Sequence, residues 1–256
     1  MIEGELFEIT AEIGCPVNCK KYCPQEVIVG NYKGATTLTL ENFKLLIEKI
    51  PKRNPINFSG VCEPFTNPRT VDMISYTHNA GHPIIVFSTL VGLTPVGADV
   101  ISRVPFQEFV LHLPDANKNA HIPLTRDYFI TLKIILSNVN NISFMNMREP
   151  FISNNAEKIA RGEPCIVHKG RVICFRHEIP NLNMMPNGDV YFCCICRGLT
   201  GKVGSLYENT YQELVSKMKP ISKCLQIDKN SICHKCGYAV PYWRYQLRKI
   251  KRCLYG

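Results

Sequence analysis

Hydrophobic positions in this chain follow two alternating rhythms. Leu6-Phe-Glu-Ile-Thr-Ala-Glu-Ile13 reads as a strand. Thr39 then caps a helix in which Leu40, Phe43, Leu46, Ile47 and Ile50 recur at helical spacing and Pro51 stops the run. Pro55-Ile-Asn-Phe-Ser-Gly60 reads as a buried strand. Pro68 at a first turn, Val71 and Ile74 inside and Gly81 beyond the end predict the next helix. Pro83–Thr89 is the most strand-like run. A short helix at 95–102, a strand at 106–113, a helix at 125–136 and a strand at 142–147 continue the series. Strand, helix, strand at this rhythm predicts the α/β class, with βα units on a parallel sheet. Five strands are clear and a sixth is expected within residues 163–174, too few for a closed eight-stranded barrel.

The pattern changes near Arg161-Gly-Glu-Pro-Cys165. Beyond it, Leu182–Met185 and Val190–Cys193 flank Asn187-Gly188, a strong signal for a tight hairpin. A helix at 210–218 and a basic amphipathic helix at 240–252 complete the chain. Two units are therefore expected, 1–162 and 163–256.

Composition narrows the class. The 256 residues fit one large domain or one domain with a small appendage, and 45% apolar content excludes a disordered chain. No run approaches the length of a spanning helix, so no membrane partner is expected. The acidic start, Met1-Ile-Glu-Gly-Glu5, lacks a signal-peptide pattern, and a cytoplasmic location is expected. Thirteen cysteines in a reducing compartment argue for metal ligation rather than disulfides. The formal charge of +9 counts every cysteine as neutral. A three-thiolate and a four-thiolate iron–sulfur cluster, at roughly −1 and −2, would lower it to about +6. The excess suits an anionic partner or an ordinary basic surface, and no RNA-binding signature points to nucleic acid.

The chemistry concentrates in Cys15-Pro-Val-Asn-Cys19-Lys-Lys-Tyr-Cys23-Pro24, straight after the first strand. Thiolates select zinc or iron–sulfur clusters over hard ions. Three ligands leave one position open, or call for a fourth from elsewhere. Zinc usually gathers Cys-x-x-Cys pairs, which this loop lacks. Three unrelated buried cysteines are the plain alternative. A second group follows: Cys174, then Gly188 and Cys193, then Cys233-His-Lys-Cys236. A structural zinc is its plain alternative, and Cys194 or Cys196 can replace Cys193. Cys165 and Cys224 read as buried small residues.

The first loop resembles the cluster-binding loop of radical S-adenosylmethionine (radical SAM) enzymes, with Tyr22 at the aromatic position. Its second gap is one residue longer than the family's usual Cys-x3-Cys-x2-Cys, as in a dehydratase of aminoglycoside biosynthesis. Phe58-Ser-Gly60-Val-Cys-Glu63-Pro64 resembles the family's Gly-Gly-Glu stretch, with Cys62 in place of the second glycine. The resemblance implies that Gly60, Glu63 and Pro64 shape the site for the methionine amino group. It places Ser88 and Thr89 near the methionine carboxylate or ribose, and Asp115 near the ribose. His112 is read as a packed histidine, and no catalytic residue is assigned. The later cysteines resemble the auxiliary-cluster region of SPASM and twitch extensions, with Cys174, Cys193, Cys233 and Cys236 as ligands. The family implies an open partial (β/α)6 TIM-like barrel with a small C-terminal hairpin-plus-helix extension. It also implies a 4Fe–4S cluster at Cys15, Cys19 and Cys23 with S-adenosylmethionine at the open iron, an auxiliary 4Fe–4S cluster, and a flavodoxin- or ferredoxin-like electron donor. Size and layout are most similar to the 2-deoxy-scyllo-inosamine dehydrogenase of butirosin biosynthesis. The expected activity is oxidation of a small hydroxylated molecule, a sugar or aminocyclitol. A peptide or protein maturase, a redox-neutral dehydratase and a non-catalytic zinc module are the alternatives.

Overall fold

The computed structural model describes residues 6–19, 23, 25–116, 118–146, 167–174, 181–193, 199–236 and 239–255. Six parallel strands form its main sheet: β1 (Leu6–Ile9), β2 (Ile56–Phe58), β3 (Ile84–Ser88), β4 (Glu108–Leu113), β5 (Ile142–Asn146) and β7 (Asn181–Met184). Their order is β5-β4-β3-β2-β1-β7. β8 (Asp189–Tyr191) and β9 (Lys202–Ser205) continue the sheet antiparallel beyond β7. β6 (Val172–Cys174) pairs antiparallel with β10 (Ala239–Pro241) in a separate two-stranded sheet.

The sixth parallel strand is thus β7, not the segment within 163–174. Val172, Ile173 and Cys174 spend their backbone bonds on β10. The Asn187-Gly188 hairpin forms as expected, and its first strand joins the main sheet by pairing Leu6 with Asn181 and Ile9 with Met184. The change of pattern at 161–165 lies outside the described residues.

The helices follow the apolar spacing. Among the described residues they are α1 (Gln25–Asn31), α2 (Leu40–Ile47), α3 (Thr70–Asn79), α4 (Pro95–Ile101), α5 (Arg126–Asn138), α6 (Tyr211–Ile227) and α7 (Tyr242–Tyr255). Thr39, Thr94 and Thr125 cap α2, α4 and α5 with their hydroxyls, and Thr210 and Glu213 form a reciprocal capping box on α6. Phe7, Ile9, Phe43, Phe58, Val86 and Phe109 meet Leu182, Val190 and Leu214 in one core. The C-terminal part therefore shares the core of the N-terminal strands. Helix α6 runs past Pro220, and Cys224 is exposed rather than buried. It falls off the stripe of Leu214, Met218, Ile221 and Leu225 that packs inward.

The other face of β1 and β2 is polar. Glu8 stands opposite Asn57 and Asn183 in register, and all three are buried. Asn57 donates to Glu8 at 3.4 Å and Thr10 donates to Asn183 at 3.2 Å. A buried carboxylate among amides marks the inside of the partial barrel as a polar compartment.

Candidate active site at the C-terminal ends of the strands

The ends of β1 to β4 surround an open cleft. Cys15, Cys19 and Cys23 line it together with Gly60, Cys62, Glu63, Thr89 and His112. Such strand ends are where barrels of this kind carry their chemistry.

Gln25, at the start of α1, ties down the cysteine loop. Its carbonyl accepts from the Cys15 N–H at 3.2 Å. Its amide donates to the Cys23 sulfur at 3.3 Å and also to the Val61 carbonyl. One buried side chain thus joins the first and third thiols to the turn after β2. The loop after β4 covers the same region, with the His121 backbone N–H donating to the Val17 carbonyl at 2.6 Å.

The turn after β2 requires glycine at position 60. Its φ is +88°, and a Cβ there would stand 2.0 Å from the Thr10 hydroxyl. That hydroxyl accepts from the Val61 N–H at 3.3 Å, which locks the turn onto β1. Gly92 does the same for the loop after β3, where a Cβ would meet the Phe65 carbonyl at 2.3 Å.

Glu63 is buried, with four donors on its carboxylate, the longest being the Phe65 N–H to Oε1 at 3.5 Å. Ser88 donates to Oε1 at 2.6 Å, and the Thr89 N–H and hydroxyl both donate to Oε2 at 2.7 Å. Burial nevertheless raises its pKa to about 7. Ser88 and Thr89 thus form a seat for Glu63, and of the two Thr89 also lines the cleft. Pro64 starts a 3-10 turn, Pro64–Thr66, whose first carbonyl accepts from Thr70 at 2.6 Å.

Cys62 stands beside Cys15. With the Cys62 thiol placed to donate to it, Cys15 is held below the usual thiol range while Cys62 is pushed up; the Glu63 N–H also donates to Cys15 at 3.3 Å. Cys15 is therefore predisposed to be a thiolate, the form that ligates soft metals. Sequence reasoning treated Cys62 only as a replaced glycine and missed this hydrogen bond.

His112, at the end of β4, lines the cleft with its ring edge-on to Phe87 at 6.1 Å. Its Nε2 is buried without a hydrogen-bond partner, and burial lowers its pKa to about 4. It faces the cleft as a neutral imidazole. Asp115 is not among the lining residues. It accepts from the Asn119 backbone and side chain at 2.9–3.2 Å and so closes its own loop. Tyr22 lies outside the described residues.

The second cysteine group is carried by two elements. Cys174 ends β6 opposite Ala239 of β10, and Cys233 lies within a 3-10 turn, Ile232–Lys235, that Cys236 caps. Cys193 follows β8 at the edge of the main core, against which Cys233 also packs. His234, fully buried between the pair, sets one ring nitrogen 3.2 Å from the His168 carbonyl and the other 2.9 Å from that of Gln226. These contacts fix the Cys-x-x-Cys turn to α6, a role the sequence did not reveal. Cys194 and Cys196 lie outside the described residues. Among the described residues, no group of three or more His, Cys, Asp or Glu side chains stands in ready-made metal geometry.

No family model and no curated protein matches the sequence. Solved structures do match. BtrN in complex with AdoMet and 2-DOIA superposes with a TM-score of 0.66 at 13% identity, covering 93% of this chain and 93% of BtrN. Native anSMEcpe with bound AdoMet and Kp18Cys peptide gives 0.54 at 13%, over 90% of this chain and 86% of that one. Streptococcus suis SuiB bound to the precursor peptide SuiA gives 0.54 at 11%, over 93% and 70%. These neighbours are radical SAM enzymes. Across most of its length, with its soft-thiol loop at the strand ends, this chain has the partial-barrel fold of the radical SAM enzymes.

Proposed function

We propose that the protein is a radical SAM oxidoreductase acting on a small hydroxylated molecule, a sugar or aminocyclitol. The observation that carries the reading is the convergence of Cys15, Cys19 and Cys23 with the Gly60–Glu63 turn on one cleft of this fold. The donor set fits an iron–sulfur cluster: three soft sulfurs, one already disposed to thiolate by Cys62 and by the Glu63 N–H. Bound there, a reduced cluster with S-adenosylmethionine would supply a 5′-deoxyadenosyl radical, and a second cluster at Cys174, Cys193, Cys233 and Cys236 would accept the electron left on the substrate.

The chain's own residues orient these groups. Gln25 holds two of the three ligands at fixed separation. Glu63, seated by Ser88 and Thr89, presents negative charge to the methionine ammonium. Phe87 and Val61 give the cleft apolar lining beside the cysteines. The neutral His112 offers a hydrogen bond to a substrate hydroxyl, and the polar face of Glu8, Asn57 and Asn183 lies deeper in the barrel. The TM-score of 0.66 with BtrN bound to 2-DOIA, against 0.54 with each of the two peptide-bound neighbours, favours a small substrate over a peptide. An electron donor of the flavodoxin or ferredoxin kind belongs to the same reading, as does a cytoplasmic location.

Anaerobic reconstitution tests it. About four irons should bind at the first loop, and dithionite should drive 5′-deoxyadenosine formation. Cys15→Ala, Cys19→Ala and Cys23→Ala should each abolish that product. Retained product in any one of them removes the loop from the mechanism, and zinc in place of iron favours a non-catalytic module.

A further inference from the structure

Helix α7 turns an apolar stripe toward solvent. Trp243, Leu247 and Ile250 stand at i, i+4 and i+7, and expose 57%, 50% and 53% of their surface. A helix on a globular protein normally packs such a stripe inward. Here the inward side is Tyr242, Tyr245 and Gln246, which are half-buried. Tyr242 anchors it: its N–H donates to the Arg171 carbonyl at 2.9 Å, and the Arg171 guanidinium lies 4.4 Å from its ring centroid. The helix is therefore held by one side, and the apolar stripe is left over.

Beside the stripe, Arg244 and Arg248 are exposed. The helix carries five basic residues, Arg244, Arg248, Lys249, Lys251 and Arg252, and no acidic one. A single ridge of Trp, Leu and Ile with cationic residues along its flank is the pattern of a helix lying in the headgroup plane of a bilayer. We propose that α7 docks the protein on a membrane surface rich in anionic phospholipid. Trp243, Leu247 and Ile250 enter the boundary between headgroups and acyl chains, and Arg244 and Arg248 meet the phosphates. The chain's net charge of +9 favours the approach. Nucleic acid would leave Leu247 and Ile250 unused, and an acidic protein would need an apolar groove matched to a lone ridge. A bilayer accepts both faces without a preformed partner shape. No described helix is long and apolar enough to cross a membrane, so the contact is peripheral. The expectation of no membrane partner rested on the lack of a spanning run, and a surface helix needs none.

The test uses the whole chain. Trp243 is its only tryptophan, so emission reports directly on the stripe. Vesicles of mixed phosphatidylglycerol and phosphatidylcholine should shift the emission to the blue and co-sediment the protein. Phosphatidylcholine alone should do neither, and added salt should weaken the binding. Leu247→Glu with Ile250→Glu, both exposed positions, should abolish the shift, and Arg244→Gln with Arg248→Gln should reduce sedimentation several-fold. Unchanged emission with anionic vesicles at low salt overturns the proposal, as does binding that both double variants retain. A shift with an acidic protein or with RNA, but not with vesicles, overturns it in favour of that partner.

Discussion

Glu63 gives the sharpest test of how this site is built. Its carboxylate accepts four hydrogen bonds, from Ser88, twice from Thr89 and, at 3.5 Å, from the Phe65 N–H, inside a buried turn. Glu63→Ala would strand the Thr89 N–H, at roughly 1–3 kcal/mol, and deprive two hydroxyls of a partner at about 1 kcal/mol each. A loss of about 3–5 kcal/mol of stability follows. Glu63→Gln behaves differently. The amide oxygen can take both Thr89 donors, and the amide nitrogen can donate to the Ser88 hydroxyl, so below pH 4.5, where Glu63 is itself protonated, stability should change by no more than about 1 kcal/mol. The pH dependence separates the two further. In the folded protein burial raises Glu63 from 4.5 to about 7. A raised pKa means that the folded state holds a proton the unfolded chain has released. Stability from this group is therefore full below 4.5 and is lost as pH rises through about 7, by roughly 3 kcal/mol. Glu63→Gln should abolish that slope. Urea unfolding of cluster-free protein across this pH window reads it directly. Titration of S-adenosylmethionine into reconstituted protein reads the functional half, where loss of a charge-assisted contact to the ammonium should weaken binding by about 1.5–3 kcal/mol. A Glu63→Gln protein that keeps both the parental pH slope and the parental affinity would refute the burial argument and the ligand contact together.

Three further outcomes are expected. Cys62→Ala should raise the pH at which Cys15 reacts with iodoacetamide in cluster-free protein, because the thiol that stabilises the Cys15 thiolate is gone; an unchanged profile means that the two sulfurs do not interact. Gly60→Ala should cost about 2–5 kcal/mol, from a left-handed backbone and a Cβ pressed on Thr10, and an unaltered denaturation midpoint would contradict the packing at that turn. Changing Cys174, Cys193, Cys233 and Cys236 to Ala should remove about four irons, leave dithionite-driven cleavage of S-adenosylmethionine intact in soluble protein and sharply reduce substrate oxidation. Undiminished turnover there favours a redox-neutral radical reaction.

Local pattern alone determined the parallel βα series, the Thr39 cap, the Asn187-Gly188 hairpin and the two groups of cysteines. Each rests on residues close in sequence: period, cap and turn chemistry act within a few positions. Motif order likewise pointed to the fold shared with BtrN at 13% identity, because glycine at 60 and thiols at 15, 19 and 23 answer local demands of backbone and ligand. The tertiary structure decided what depends on distant partners. β7 becomes the sixth parallel strand only because β1, more than 170 residues earlier, offers it a free edge. Val172–Cys174, apolar enough for the main sheet, goes instead to β10. Gln25 reads as an ordinary polar residue until the fold brings Cys15, Cys23 and Val61 around it. The Cys62–Cys15 hydrogen bond, the seat that Ser88 and Thr89 make for Glu63, and the outward stripe of α7 are likewise invisible in one dimension. Hydrogen-bond partners and solvent exposure are properties of the packed chain, and no local spacing encodes them.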